Sequence, residues 1–262
     1  MVPDRARGGV LLPLRSLTSP YPRGDTIARD LGLPKVEVFE SIGSTLDVAH
    51  EQAAAGAPAG TLILAEAQTA GRGRQGRAWT SEPGAGIWLT LIERPTDRSS
   101  LDVLSLRVGL GIVRALEPLV GEPLRLKWPN DVYRGAGKLA GILVEARWRG
   151  ADPDWVAIGV GLNIRVPVDQ PHAAGLDSAG VSRNDALYAI LPALRKAARA
   201  TGPLDEDELE AFDERDLARG RRISQPVEGL VEGINAAGAL LVLTAEGMAA
   251  IQAGSLVLQG DS

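Results

Sequence analysis

The stretch Gly71-Arg72-Gly73-Arg74-Gln75-Gly76-Arg77-Ala78-Trp79 constrains this chain more than any other segment. Arginines alternate with glycines, and nothing apolar anchors them before Trp79. Glycine lets the backbone adopt positive φ and approach a ligand closely. Arginine supplies permanently charged, planar donors suited to phosphate or carboxylate. Such a loop takes its order from an anionic ligand. Gly71, Gly73 and Gly76 match G-x-G-x-x-G, but a dinucleotide-binding unit needs a strand before the loop and a helix opening inside it. The apolar run 61–65 supplies the strand. After the loop, however, come the turn formers Ser81-Glu82-Pro83-Gly84-Ala85-Gly86 and then a β-forming run at 87–92. The order is strand, loop, strand, which argues against a dinucleotide fold. No G-x-x-x-x-G-K-[ST] occurs, so a P-loop has no support either.

Composition narrows the chemistry. There is no cysteine, which removes disulfides, thiolate metal sites and cysteine nucleophiles. With only His50 and His172, a histidine-based metal centre is not expected. The net charge of -5 gives no reason to expect a nucleic-acid partner. No apolar run approaches the ~20 residues that span a membrane. Val10-Leu11-Leu12-Pro13-Leu14 is too short for a secretory signal, so a cytoplasmic location is the expectation. Arginine outnumbers lysine 24 to four, a compositional bias that makes each lysine informative. Two of the four, Lys127 and Lys138, share one region.

Periodicity gives the organisation. Residues 1–34 read as an N-terminal tail with at most one short helical turn near 26–31. Residues 36–41 alternate as a half-buried strand does. Ser44-Thr45 opens a helix. Residues 101–116 have helical periodicity. Residues 124–128, 142–147 and 155–163 read as strands. Residues 184–200 and 205–215 read as helices capped by Asn184 and Asp205. From about residue 220 short β-like runs at 223, 227–231, 239–243 and 256–258 are punctuated by glycine, the pattern of a small barrel. Residues 35–219 thus form a main domain and 220–262 a C-terminal one.

Two further motifs join the arginine loop: Lys127-Trp128-Pro129-Asn130-Asp131, with Gly137-Lys138-Leu139-Ala140-Gly141-Ile142-Leu143-Val144-Glu145 after it, and Gly159-Val160-Gly161-Leu162-Asn163. In this order they resemble the biotin–protein ligase family, over roughly residues 36–258. The resemblance implies an α+β fold, a mixed sheet flanked by helices of the class II synthetase type, with an SH3-like C-terminal β-barrel. It implies two reactions. Biotin carboxylate attacks the α-phosphorus of ATP, with Mg2+, giving biotinyl-5′-AMP and diphosphate. A lysine of a biotin carboxyl carrier domain then displaces AMP. Some members carry an N-terminal DNA-binding domain and act as repressors. Residues 1–34 are too short for one, so a ligase without repressor function is expected, as a monomer or a homodimer.

The site residues follow by similarity. Lys138 contacts the biotin carboxylate and α-phosphate; a plain surface lysine at a strand start is the competing explanation. Arg72 lies by the carboxylate, Arg74 holds the loop over the adenylate, and Arg77 is a phosphate contact. Gly71, Gly73 and Gly141 approach biotin closely. Ser44, Thr45 and Gln68 are suited to the ureido ring, whose N–H groups need acceptors and whose carbonyl needs donors; Ser44 can also cap its helix. The family often has asparagine after Ser-Thr where this chain has Leu46, which removes a side-chain contact there. Trp79, Lys127, Asn130, Asp131 and Asn163 face ATP or the incoming amine, with Asp131 orienting or deprotonating that amine. Gly141, Gly159 and Gly161 sit in strand-like runs where a flat bicyclic ring can lie. Trp128 suits the core. Arg221 and Arg222 suit either ATP phosphates or plain surface. A lipoate or octanoyl transferase and a biotin-sensing transcription factor are the rival readings.

Overall fold

The computed structural model of the chain describes residues 20–95 and 97–260. Expectations for residues 1–19 lie outside that range. The tail read through residue 34 does not extend that far. Tyr21 is buried, and helix α1 (Gly24–Leu31) buries Ile27 completely. The helix ends at Gly32, whose φ of 60° lets its N–H reach the Ala28 and Arg29 carbonyls. Local sequence does not reveal this docking because its partners are distant. Arg183, 1% exposed, forks onto Glu66 at 2.6 and 3.0 Å, and its guanidinium lies 3.9 Å from the Tyr21 ring. Removing one member of such a buried pair costs about 3–5 kcal/mol.

The main sheet is mixed. Strand β1 (Lys35–Ile42) runs parallel to β2 (Thr61–Gln68), with helix α2 (Thr45–Ala54) as the crossover. The other pairs are antiparallel: β2 with β3 (Gly86–Glu93), β3 with β7 (Asp152–Asn163), β7 with β6 (Gly137–Arg149), β6 with β5 (Asp131–Arg134) and β5 with β4 (Arg125–Lys127). The spatial order is β1-β2-β3-β7-β6-β5-β4. Every residue of β3 is buried, because both sheet faces are covered there. On one face α1, α3 (Leu104–Val120) and α4 (Arg183–Arg199) build the main core, with Leu62, Leu64, Leu89, Leu91, Ile158 and Val160 beneath them. On the other, Leu46, Ala49 and Ala53 of α2 cover Ile63, Ile92 and Ala157. Alternation of side chains along each strand separates the two sets.

Beyond α2 the second face loses its side chains. Gly141 stands opposite Gly161, and Leu143 opposite Gly159, so the sheet there has a hollow floor.

Helix α5 (Glu206–Asp213) opens on a capping box between Asp205 and Glu208, as the Asp205 reading expected. The cap of α4 is Ser182, which accepts from Asp185 N–H; Asn184 lies inside the helix. Both residues suit a cap, and position relative to the turn decides between them. Strand β6 begins at Gly137, five residues before the expected 142, because β5 pairs with its first half. The strand Asp131–Arg134 is too short and polar to read from sequence, and Gly247–Ile251 is not anticipated because its glycine and alanines are weak strand formers. The second sheet comprises β8 (Arg222–Gln225), β9 (Gly229–Ile234), β10 (Leu240–Thr244), β11 (Gly247–Ile251) and β12 (Val257–Leu258), antiparallel in the order β11-β10-β9-β8-β12. Trp128, buried as expected, ties it to the main domain by donating from Nε1 to the Gly238 carbonyl at 2.9 Å. Among the described residues no helix is long and apolar enough to cross a membrane.

A second seam lies where residues 215–217 run beside β4, with Leu126 N–H donating to Arg215 O and Leu217 N–H to Leu126 O, both at 2.8 Å. Asp216 is 2% exposed here, and its Oδ2 has no partner among the described residues. Burial pushes its carboxyl up to about 6, against the opposing N–H groups of Ala218 and Arg219 and the charge of Arg125. A carboxyl raised in the folded state binds more protons folded than unfolded. Its contribution is therefore full below the ordinary value near 4 and is lost as pH rises through about 6. Asp216→Asn replaces the unpartnered oxygen with a neutral amide. The variant is expected to gain on the parent by about 3 kcal/mol between pH 4 and pH 8, read as unfolding free energy at each pH. Parallel pH profiles would remove this role.

Candidate active site

The hollow floor has an occupant. A Cβ on Gly161 would lie 2.4 Å from Trp79 Cε2 and Nε1, and one on Gly141 would lie 2.8 Å from Trp79 Cζ3. The indole therefore rests directly on the two glycines. A flat bicyclic ring was expected against this floor; in this structure that ring is the protein's own. Trp79 Nε1 is buried against the Gly161 floor without a hydrogen-bond partner among the described residues. The loop reaches this position as a hairpin. Trp79 N–H donates to Gly71 O at 2.8 Å and Gly73 N–H to Arg77 O at 2.7 Å, around a 3-10 turn at Arg74–Gly76. Gln75 takes a left-handed φ of 58° in that turn. Gly71 admits no side chain, since a Cβ would meet Trp79 O at 2.5 Å.

One end of the cavity is a chain of neutral hydrogen-bonding groups. Thr90 Oγ1 donates to Thr45 Oγ1 at 2.9 Å, and Thr45 Oγ1 donates to Gln68 Oε1 at 3.1 Å. The Thr45 N–H also donates to Gln68 Oε1, at 2.8 Å. Gln68 Nε2 donates to Ser81 Oγ at 2.8 Å, and Ser81 Oγ to Trp79 O at 3.2 Å. Ser44 caps α2 by accepting from Leu46 N–H, so its structural role is present alongside its place in the cavity lining. Gln68 and Thr45 meet as expected. Ser81 and Thr90 complete the chain and were not singled out, since each is an unremarkable residue in a turn or strand.

The other end is charged. Lys138 Nζ lies 2.8 Å from Asp131 Oδ1 as an ion pair whose alignment falls short of a well-directed hydrogen bond, and 5.1 Å from the Trp79 ring centroid. Lys138 is fixed at its backbone by His172 O and Ala174 N–H, both at 2.8 Å, so the segment after β7 runs beside it. Arg74 donates to Asn130 Oδ1 at 3.1 Å, and Asn130 Nδ2 donates to Ile142 O at 2.8 Å. Burial lowers the Arg74 guanidinium from its ordinary value, with the Asp131 charge working the other way and Arg77 adding to the fall. Asn163 donates to Lys138 O at 3.3 Å.

The remaining candidates lie further out. Arg77 donates to Ser255 Oγ at 2.8 Å and to Gln75 Oε1 at 3.3 Å, and Ser255 Oγ donates to Gln75 Oε1 at 3.0 Å. The loop tip is thereby tied to the C-terminal sheet domain. Lys127 Nζ sits 5.7 Å from the Tyr133 ring centroid and is not among the residues lining the cavity. Arg222 is exposed in β8. Arg72 lines the cavity, but its guanidinium is held by Asp47 Oδ1 at 2.7 Å and Glu145 Oε1 at 3.0 Å. Burial works to raise the Glu145 carboxyl, but the hydrogen bond from His50 and the charge of Arg72 outweigh it and hold it low. Period two from Gly141 through Leu143 to Glu145 was the signal that could have placed Glu145 on this face. Among the described residues no group of three His, Cys, Asp or Glu could hold a metal ion.

The model of the Biotin/lipoate A/B protein ligase family matches residues 38–163, and that of the Biotin protein ligase C terminal domain matches 220–258. A biotin--[acetyl-CoA-carboxylase] ligase of Paracoccus denitrificans is 32% identical over 220 residues, 76% of this chain and 90% of that one. The bifunctional ligase/repressor BirA of Bacillus spizizenii is 40% identical over 129 residues, 49% of this chain. The alignment spans only 40% of that relative's length. The biotin protein ligase of Aquifex aeolicus, solved in complex with biotin and ATP, superposes with a TM-score of 0.69 at 25% identity, covering 86% of this chain and 98% of that one. The three motifs, the mixed sheet with its C-terminal antiparallel sheet, and these matches agree: the chain belongs to the biotin protein ligase family.

Proposed function

We propose that this chain activates biotin with MgATP to biotinyl-5′-AMP and diphosphate, then transfers the biotinyl group to a lysine of a biotin carboxyl carrier domain. One observation carries the reading. A single cavity has a neutral hydrogen-bonding end, at Thr45 and Gln68, and a cationic end, at Lys138 and Arg74. Biotin is likewise a neutral ureido ring on an apolar arm ending in a carboxylate. The glycine floor and Trp79 form the apolar middle. The Aquifex relative binds both small molecules, by its own description.

In the first step a carboxylate oxygen attacks the α-phosphorus and diphosphate leaves. Negative charge spreads over the phosphoryl oxygens, and fixed cationic donors stabilise it without reorganising. Lys138 and Arg74 fill that role, each preset by a partner, Asp131 and Asn130. Magnesium arrives on the nucleotide phosphates, the usual arrangement for an ion that takes only one or two protein carboxylates. In the second step the acceptor's neutral amine attacks the mixed anhydride carbonyl and AMP leaves. Asp131 stands where it orients that amine. Use of ATP fits a cytoplasmic location.

Biotin-dependent ATP–diphosphate exchange is the expected outcome with purified protein, and lipoate as the control acid should give none. Exchange with lipoate alone would keep the fold and overturn the substrate. Lys138→Ala should lower exchange by about 10²–10³-fold with an unchanged melting temperature, since its side chain lies at the cavity surface. Exchange at the parental rate would remove Lys138 from the chemistry. Arg74→Gly cuts the bond that pins the turn to Asn130. It should release adenylate early, seen as biotin on bystander lysines of an added carrier protein such as serum albumin. Labelling confined to the acceptor would count against that role.

A further inference from the structure

Five side chains from the loop, α2, β6 and β7 form a cluster beside the cavity. Arg72 reaches Asp47 at 2.7 Å and Glu145 at 3.0 Å. The other Glu145 oxygen meets His50 Nε2 at 2.8 Å. His50 Nδ1 meets Trp155 Nε1 at 3.0 Å. An indole N–H only donates. His50 Nδ1 is therefore the acceptor, and the ring carries its proton on Nε2, aimed at Glu145. Glu145 is in turn held with its free oxygen toward Arg72. Only 13% of the His50 side chain and 21% of the Glu145 side chain are exposed, so the arrangement is constrained rather than a solvated surface contact.

We infer that Arg72 is a positioning residue rather than a ligand contact: it clamps the base of the arginine loop to α2 and β6 through Asp47 and Glu145, with His50 and Trp155 setting the orientation of Glu145. The inference rests on the proposed ligase reading only for its kinetic consequence. The same loop carries Arg74 and Trp79 into the cavity, and Gly71 binds its two ends together. Fixing its base at Arg72 presets both. Loss of the clamp leaves the bound complex able to react but makes binding order the loop anew, a cost that falls on apparent affinity.

The test compares Arg72→Ala, Glu145→Gln, the double variant and Asp47→Asn, with melting temperatures to confirm folding. Trypsin cleavage after Arg74 and Arg77 is followed in the ligand-free protein, and biotin KM and kcat in the exchange assay. Arg72→Ala should speed cleavage in the loop and raise KM by about five- to tenfold, and Glu145→Gln should do the same by about three- to fivefold, with kcat within about twofold in both. The double variant should be no worse than Arg72→Ala, because that change already removes the contact with Glu145. Asp47→Asn, on an exposed helix face, should give the same pattern more weakly and covers the case in which Glu145→Gln fails to fold. A fall in kcat at saturating biotin for Arg72→Ala, with Glu145→Gln and Asp47→Asn unchanged, would make Arg72 a ligand contact and overturn the inference. Unchanged loop cleavage in every folded variant would overturn it too. The proteolysis reading needs no activity, so it stands apart from failure of the ligase reading itself.

Discussion

The contact between the Trp79 indole and the glycines at 141 and 161 is the constraint on which the site depends. Two adjacent antiparallel strands must both lack side chains at one paired position, or the ring cannot reach the sheet. Once it does, the hairpin loop is drawn over the face that α2 leaves bare. Arg74 then falls within reach of Asn130, and Lys138, three residues before Gly141, stands beside the ring. Candidate catalytic groups from separate motifs meet because one aromatic side chain is seated. The gain from burying a residue of that size is about 2–3 kcal/mol, comparable to the ordering cost of a few loop residues. The loop is thus balanced between order and disorder, so small contacts such as the Arg72 clamp decide its state.

Charge is handled in two ways. Arg107 and Arg183 lie in the interior, each forked onto a partly buried glutamate, Glu208 and Glu66. They hold α5 and the α1 segment to the main core and serve the site only by keeping its scaffold rigid. The loop arginines are bound by partly exposed contacts, worth about 0.2–1 kcal/mol each where solvent reaches them. The same residue type therefore supplies both the permanent fastenings and the reversible ones, and burial of the arginine itself separates the two: the side chains of Arg107 and Arg183 are 3% and 1% exposed, that of Arg72 38%.

Much of this was legible before any coordinates. Alternation in 36–41 and the β-forming run at 87–92 located strands, and the Ser44-Thr45 and Asp205 signals located helix starts, because capping and pleating are local. Glycine inside a strand correctly announced close approach at Gly141 and Gly161. It could not announce what approaches, since an indole and a ligand ring demand the same flat space. Arg72 shows the other limit. Its partners Asp47 and Glu145 lie 25 and 73 residues away, and although Glu145 ends the second motif, nothing local pairs either with Arg72. The docking of Tyr21 and Ile27 was hidden for the same reason: its anchor, Arg183, is remote in the chain and lies at the start of a different helix.

The bond from Arg77 to Ser255 joins residues 178 positions apart, and that from Ser255 to Gln75 spans 180. A polypeptide leaves the ribosome from its N-terminus at about 5–20 residues per second. The sheet, α2 and the glycine floor can assemble while the last stretch is still being made. The tip of the arginine loop cannot acquire its outer partner until residue 255 has emerged and the second sheet has closed. The arginine loop is therefore the last part of the main domain to be finished, and its completion waits on closure of the second sheet.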